Sequence, residues 1–385
     1  MITLALVAQS ARAMAEAAVA DGYAVIAIDL FGDADTRRAS HSWFPAGTPG
    51  TLQLDTPQVL ATLRTLAQRG GVAGWVAGGG CEGLPELLSE GAARLPLIGS
   101  APQAVQRVRN PAEFFACLQA AGIRHPEVRF TPPADGSGWL FKDSRGCGGW
   151  HVLHASNTAA HQPSPAPLPV SHYFQRLVPG TPMSATFCAN GHQAVVLGIN
   201  HQLVCAIGDR PFVYAGVLGP VCLPEAASTA LDQALQTLTA QFVLRGLGSL
   251  DFVFDGNTVQ VLEINPRPPA SLALYGTRLA VGLMTAHVQA CLQGRLPKLL
   301  PAPGGAPALR GTAIVFAPHA LHIDETAAHA LQALPACHDL PMAGTRLQRG
   351  DPLCSVSAVG PDAAAVQAQL KSGRETVLNT LETTR

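Results

Sequence analysis

Residues 250–276 read LDFVFDGNTVQVLEINPRPPASLALYG, and no other stretch restricts the fold as much. Two runs rich in β-branched and aromatic residues flank the turn formers Asp255, Gly256 and Asn257, which is the pattern of a β-hairpin. Side chains alternate faces along a strand. Any connection with an odd number of loop residues therefore brings Asp251, Glu263 and Asn265 to one face, and a Gly-Asn-Thr loop sets Asp251 directly opposite Glu263. Like charges so placed repel. A divalent cation removes that penalty, and an Asp, a Glu and an Asn amide supply the hard oxygens that Mg²⁺ (or Mn²⁺) takes while keeping water and substrate phosphate in its shell. Arg267 follows two residues later with a guanidinium suited to bidentate contact with phosphate or carboxylate oxygens. The plainer reading is a solvated hairpin face with Arg267 as a surface charge.

The chain of 385 residues, 48% hydrophobic and 13% charged, is long enough for two or three domains with cores of their own. A net charge of -1 and the lack of a dense Lys/Arg run argue against nucleic acid or an anionic membrane as partner and favour small molecules. Nine cysteines without a C-x-x-C pair read as reduced thiols, and His319, His322, His329, His338 and Cys337 have no zinc-ligand spacing. The start lacks a basic n-region and flows into an amphipathic helix, and no apolar run is long enough to span a bilayer, so the expected location is the cytoplasm.

Along the chain, residues 2–7, 11–20 and 23–29 read as strand, helix and strand. A dinucleotide fold would begin the same way, but the first turn, Ala8-Gln9-Ser10-Ala11, lacks the glycines that let a backbone approach pyrophosphate, so Asp29 is weak evidence for NAD. A strand at 74–77 runs into GGGCEGLPELL, either a ligand-gathering strand end or a tight turn that needs small residues, before a helix from about residue 83. Residues 97–99 read as a last strand of this region, and a helix at 111–121, N-capped by Asn110, opens the next. Strands at 139–142 and 150–154 enclose Ser144-Arg145-Gly146-Cys147-Gly148-Gly149, a loop whose glycines free backbone N–H groups for phosphate oxygens, with Lys142 at its mouth; an exposed hairpin is the alternative. Cys147 near His151 admits a thiol nucleophile, without a third residue in view to orient it. Residues 156–169 read as a linker, 172–203 as alternating strands of an antiparallel sheet, 227–244 as a helix, 296–311 as a second Pro/Gly-rich connection, and 362–381 as a last helix.

A strand Lys with a glycine loop, a Tyr-Phe-Gln strand, and an Asp followed by Glu-x-Asn-Pro-Arg occur in one order, and over residues 100–294 this resembles the ATP-grasp ligases. The resemblance implies a mixed α/β and α+β architecture: an N-terminal α/β (pre-ATP-grasp) domain over 1–105, an ATP-grasp domain of two α+β halves over 106–295 with a linker at about 156–169, and a small C-terminal α/β domain over 306–385. It implies ATP and Mg²⁺, with phosphorylation of a carboxylate to an acyl phosphate that an amine attacks. Lys142 matches the family's phosphate-reaching Lys; Gly146, Gly148 and Gly149 match the phosphate loop; Gln175, Arg176 and Leu177 match the adenine segment. Asp251, Glu263 and Asn265 match the metal ligands, and Arg267 the Arg that holds the transferred phosphoryl group. Where many relatives carry a Lys before the first helix, this chain offers Arg107 or Arg109, and Arg176 stands where a Glu often contacts ribose.

The segments YFQRLVPGTPMSA, RPFVYAGVLGP and DLPMAGTRLQRGDPLCSV look most like ligases of methanofuran-type one-carbon cofactors, such as tyramine–glutamate ligase. The resemblance thus implies small-molecule carboxylate and amine substrates, with a homodimer admitted as the assembly. The rival readings are a biotin-carboxylase-like carboxylation and a nucleotide-binding protein without catalysis.

Overall fold

The computed structural model describes residues 1–48, 50–157, 168–300 and 308–383. Strands Thr3–Val7, Ala24–Asp29, Ser42–Pro45 and Val72–Ala77 form a parallel sheet in which Thr3–Val7 lies between the second and fourth. Their apolar runs are unbroken because both faces are covered. Leu4 and Leu6 pack with the helix Arg12–Ala20 on one side, and Ala5 and Val7 pack with Val59, Leu63 and Leu87 on the other. Asp29 ends its strand inside the protein, where its carboxylate accepts from Ala11 N and Gly32 N, both at 2.9 Å, and from Trp43 Nε1 at 2.7 Å. It ties the end of its strand to the start of the first helix, to the turn at Gly32 and to the neighbouring strand. The strand expected at 97–99 is reduced to a bridge between Trp75 and Leu97. The helix after the glycine stretch is Pro85–Arg94, set by the proline in its first turn.

An eight-stranded sheet forms the centre, in the order Val259–Asn265, Arg245–Phe254, Thr181–Asn190, Ala194–Ile207, Arg210–Val221, Leu309–Phe316, Pro352–Gly360 and Cys337–His338. Helices Pro111–Ala120 and Glu225–Phe242 bury Phe114, Leu118, Leu231, Leu235 and Phe242 against Phe187 and Phe252. Leu283–Gln293 packs Met284 and Ala286 with Cys188 and Leu247 in the cluster that also holds Leu4 and Leu6, so this sheet too has two covered faces. The C-terminal strands Leu309–Phe316 and Pro352–Gly360 continue the central sheet, backed by helices Glu325–Gln332 and Ala363–Thr383.

A smaller antiparallel sheet holds Val128–Arg129, His172–Arg176, Trp139–Asp143 and Val152–His154. The sheet read from residue 172 onward is therefore split: His172–Arg176 belongs here, beside Trp139 and Phe174, while the strands after it enter the central sheet. Trp150 and His151 are in a turn, and the second strand of this pair starts at Val152. Of the linker read at 156–169, residues 158–167 lie outside the described residues, as do 301–307 of the second Pro/Gly stretch. Among the described residues no helix is long and apolar enough to cross a membrane.

The opening hairpin forms, with a different turn. Phe254 pairs with Val259, so four residues make the connection, and Asp255 organises it by accepting from Asn257 N at 2.9 Å and Thr258 N at 2.7 Å. An even loop alone would put Asp251 opposite Leu262. The register shifts between Asp251 and Phe252, where Leu262 is the extra residue, and Asp251 stands opposite Glu263 after all.

Candidate active site

The acidic face of the hairpin opens on a cavity of about 500 Å³ between the two sheets and the N-terminal layer. Asp251 pairs with Glu263 and Ser249 with Asn265 in the strand register. The Asn265 amide orients the group: Nδ2 donates to Asp251 Oδ2 at 3.2 Å and to Ser249 Oγ at 3.4 Å. Asp251 Oδ1 is buried and accepts no well-aligned hydrogen bond among the described residues. Burial and then Glu263 push the Asp251 carboxyl up, although Gln202 and Ser249 lie close enough to pull it down. Burial acts the same way on Glu263, but Arg109, His151, Lys142 and Arg267 outweigh it and hold that carboxyl below its usual range.

Three cations converge here from separate elements. Lys142 is buried on its strand and donates from Nζ to Gln175 Oε1 of the neighbouring strand at 2.8 Å. Burial lowers its pKa against the pull of Glu263 and Asp251. Arg109 is the last residue of the helix Pro102–Arg109. Pro111 disfavours helical backbone at Asn110, whose extended conformation ends one helix while its side chain caps the next by accepting from Ala112 N at 3.0 Å. That corner aims Arg109 inward: Nη1 donates to Glu263 Oε2 and Asn265 Oδ1, each at 3.4 Å, and Nη2 donates to Ser144 O and, at 2.9 Å, to Gly146 O. Arg107 points away, pairing with Glu113 at 3.2 Å near the Phe242 ring. Of the two arginines left open by the sequence, the fold brings Arg109 to the acids.

Arg267 leaves the hairpin between Pro266 and Pro268, and its Nε donates to Glu82 Oε1 at 2.9 Å. Glu82 is buried in the glycine stretch and also accepts from Gly80 N at 2.7 Å. Burial would raise its carboxyl, but Arg267 and Arg109 hold it down. Sequence reading treated this stretch as a turn or a generic strand end and missed Glu82; its partner lies 185 residues away, so no local spacing announces it.

The glycine loop is folded onto the site. Gly148 and Gly149 have positive φ (63° and 76°), and Gly148 O accepts from Tyr214 N at 2.9 Å. At Gly83 a side chain would collide with Arg145 O, so the glycine stretch and the loop pack backbone to backbone. Cys147 donates from Sγ to Gln9 Oε1 at 3.2 Å. Burial and then Glu82 push its thiol up to about 12, while burial brings His151 down to about 4. A protonated thiol beside a neutral imidazole is not an activated nucleophile pair.

Gln175, Arg176 and Leu177 line the cavity beyond Lys142. Gln175 is buried with Nε2 lacking a partner among the described residues. The N–H groups of Arg176 and Leu177 donate to Glu127 O at 2.8 Å and Gly138 O at 2.9 Å, and the Arg176 guanidinium lies 5.5 Å from the Trp139 ring centre, so both backbone donors serve the protein.

The acids fit a magnesium ion on the structure's own evidence. Two opposed carboxylates and an amide oxygen are hard donors, one carboxylate oxygen is buried without a well-aligned hydrogen bond, and the Arg109 bonds to Glu263 and Asn265 are at the long end of the range.

Residues 109–271 match the model of the ATP-grasp domain. The carbamoyl phosphate synthase large chain of Halomonas eurihalina is 22% identical over 222 residues, 53% of this chain and 20% of that protein. The corresponding chain of Myxococcus xanthus is 25% identical over 228 residues, 54% and 20%. The chain thus spans about a fifth of the length of the curated relatives it matches. Among solved structures, the L-amino acid ligase of Bacillus licheniformis superposes with a TM-score of 0.68 at 14% identity, covering 97% of both chains. A biotin carboxylase from Campylobacter jejuni gives 0.69 at 11%, covering 98% of this chain and 95% of that one. N5-carboxyaminoimidazole synthetase from Staphylococcus aureus gives 0.63 at 13%, covering 97% of both. The fold is the ATP-grasp fold.

Proposed function

We propose that this chain is an ATP- and Mg²⁺-dependent ligase that activates a carboxylate as an acyl phosphate and joins it to an amine. The observation that carries the reading is the opposed Asp251–Glu263 pair, which lines one cavity with Lys142 and Arg267 and is bonded through Glu263 to Arg109. Magnesium held by Asp251, Glu263 and Asn265 would neutralise charge on the nucleotide's phosphates. The protein's own part is positioning. Lys142, fixed by Gln175, meets the phosphates as a single charge, and Arg267, with Nε committed to Glu82, offers its terminal nitrogens to the transferred phosphoryl group. The glycine loop, tied down by Arg109, covers the site and keeps water from the acyl phosphate.

The finer reading, glutamate as acid and a tyramine-like amine in methanofuran-type one-carbon cofactor synthesis, rests on the three segments quoted above. Their residues Gln175 and Ser184, Phe212 and Tyr214, and Asp339 and Ser355 all reach the cavity wall, which is where substrate choice would be made. The test is ADP release over a matrix of carboxylates and amines, beginning with glutamate. Release that needs both an acid and an amine is the expected result. Release driven by bicarbonate alone would replace the ligase reading with carboxylation, and no release with any pair would leave a nucleotide-binding protein.

A further inference from the structure

The far wall of the same cavity carries acids that phosphoryl transfer does not use. Asp33 and Asp339 line it, beside Arg12 and Ser355. Most of the acid oxygens there have assigned work. Asp29 ties down the end of its strand, as above. Asp35 accepts from Asp339 N at 2.7 Å and Leu340 N at 3.0 Å, one bond to each oxygen. Asp339 accepts from Arg12 Nε at 2.7 Å and from Ser355 Oγ. Asp33 differs. It sits at the start of the helix Ala34–Arg38, where its backbone oxygen accepts from Arg37 N, yet its side chain makes no capping bond, and among the described residues its carboxylate has no hydrogen-bond or ion-pair partner although the residue is only 6% exposed. Burial, then Asp339, Asp29 and Asp35, raise its carboxyl well above the usual range, and Arg12 opposes this weakly.

A buried carboxylate without a partner in a negative environment is costly unless a cation joins it. We propose that Asp33 anchors an ammonium group of the amine substrate other than the nitrogen that attacks the acyl phosphate, with the substrate's apolar body against Phe31, Ile314 and Phe316. The assignment deepens the ligase reading and rests on it. An ammonium suits this place better than a metal ion, because one carboxylate has uncommitted oxygens where a metal would need several. Glu16, Asp35 and His338 do come within reach of one another, but Arg12 bonds Glu16 at 2.7 Å and lies 3.7 Å from Asp35, which supplies the positive charge already. The three apolar side chains line the cavity with Asp33, so a hydrocarbon attached to the ammonium has a surface to cover.

The test compares probes that differ in one group, 2-phenylethylamine with 2-phenylethanol and hexylamine with 1-hexanol, titrated calorimetrically into the whole protein with and without Mg²⁺ and a non-hydrolysable ATP analogue. At least one amine is expected to bind tenfold or more tighter than its alcohol, and Asp33→Asn is expected to erase that margin. Asp33→Ser, which suits a helix start, serves as the second variant, with binding of the ATP analogue reporting that each variant is folded. Amines that bind no better than their alcohols, or a margin that survives both substitutions, overturn the proposal. The two readings separate cleanly. ADP release that needs an amine but has the same amine KM in Asp33→Asn leaves the ligase and removes the anchor. Amine binding lost in Asp33→Asn, with no amine-dependent ADP release by the parent protein, leaves the anchor and removes the ligase.

Discussion

The two ends of the cavity both gather acids, and they balance them differently. At the hairpin end Asp251 and Glu263 face Arg109, Lys142 and Arg267, each held by a second protein group, and the carboxylates differ in sign of shift. At the far end Asp35 and Asp339 lie against the guanidinium of Arg12, which attracts Asp33 more weakly. Under the proposed function, the first arrangement would meet charge that arrives as metal and phosphate. The second uses Arg12 to hold the N-terminal layer to the C-terminal region, since Arg12 and Asp339 are 327 residues apart. One end therefore stores its polarity for ligands and the other spends most of it on assembly, with Asp33 as the exception.

If that contrast is right, the largest effect on stability belongs to the far end. Arg12→Met leaves the half-buried Asp339 with only its serine hydroxyl contacts and should cost about 1.5–3 kcal/mol of unfolding free energy in denaturant titrations. The corresponding change at the hairpin end should spare stability and abolish function. Glu263→Gln replaces a carboxylate donor with a neutral amide and gives up the Arg109 ion pair, so its melting temperature without ligand should fall only slightly, with ADP release at limiting Mg²⁺ down about 100-fold. Full turnover in Glu263→Gln would break the comparison.

Smaller effects sharpen it. Lys142→Met removes one charge-assisted phosphate contact, worth about 1.5–3 kcal/mol, and should weaken binding or turnover of ATP by roughly ten to a hundredfold in steady-state kinetics. Arg109→Lys keeps the charge and loses the fork that reaches both the acids and the loop carbonyls, so kcat/KM for ATP should fall about tenfold. Arg107→Ala, on a side chain 45% exposed and turned away from the cavity, should stay within about twofold.

How much of this was legible follows from where each signal lies in the chain. The hairpin acids, Arg267, Lys142 and the glycine loop sit in short segments whose alternation and turn residues carry their own meaning. Even there the turn was misread. Asp255 builds a four-residue connection that the residues Gly-Asn-Thr did not suggest, and the bulge at Leu262 restores the pairing that the shorter loop was meant to explain. Arg107 and Arg109 were inseparable because they lie about 200° apart on a helix whose inward side only tertiary packing defines. Glu82 and the acids around Arg12 meet partners roughly two to three hundred residues away, and nothing in their local sequence marks the meeting.

Isotope transfer tests the central claim most directly. The acid that supports ADP release, labelled with ¹⁸O in its carboxylate, is turned over with the amine, and the inorganic phosphate is analysed by mass spectrometry. An acyl phosphate predicts one ¹⁸O per phosphate, because the bridging oxygen comes from the acid and leaves with phosphorus when the amine attacks. Phosphate free of label, or phosphorus still attached to the organic product, would contradict the account.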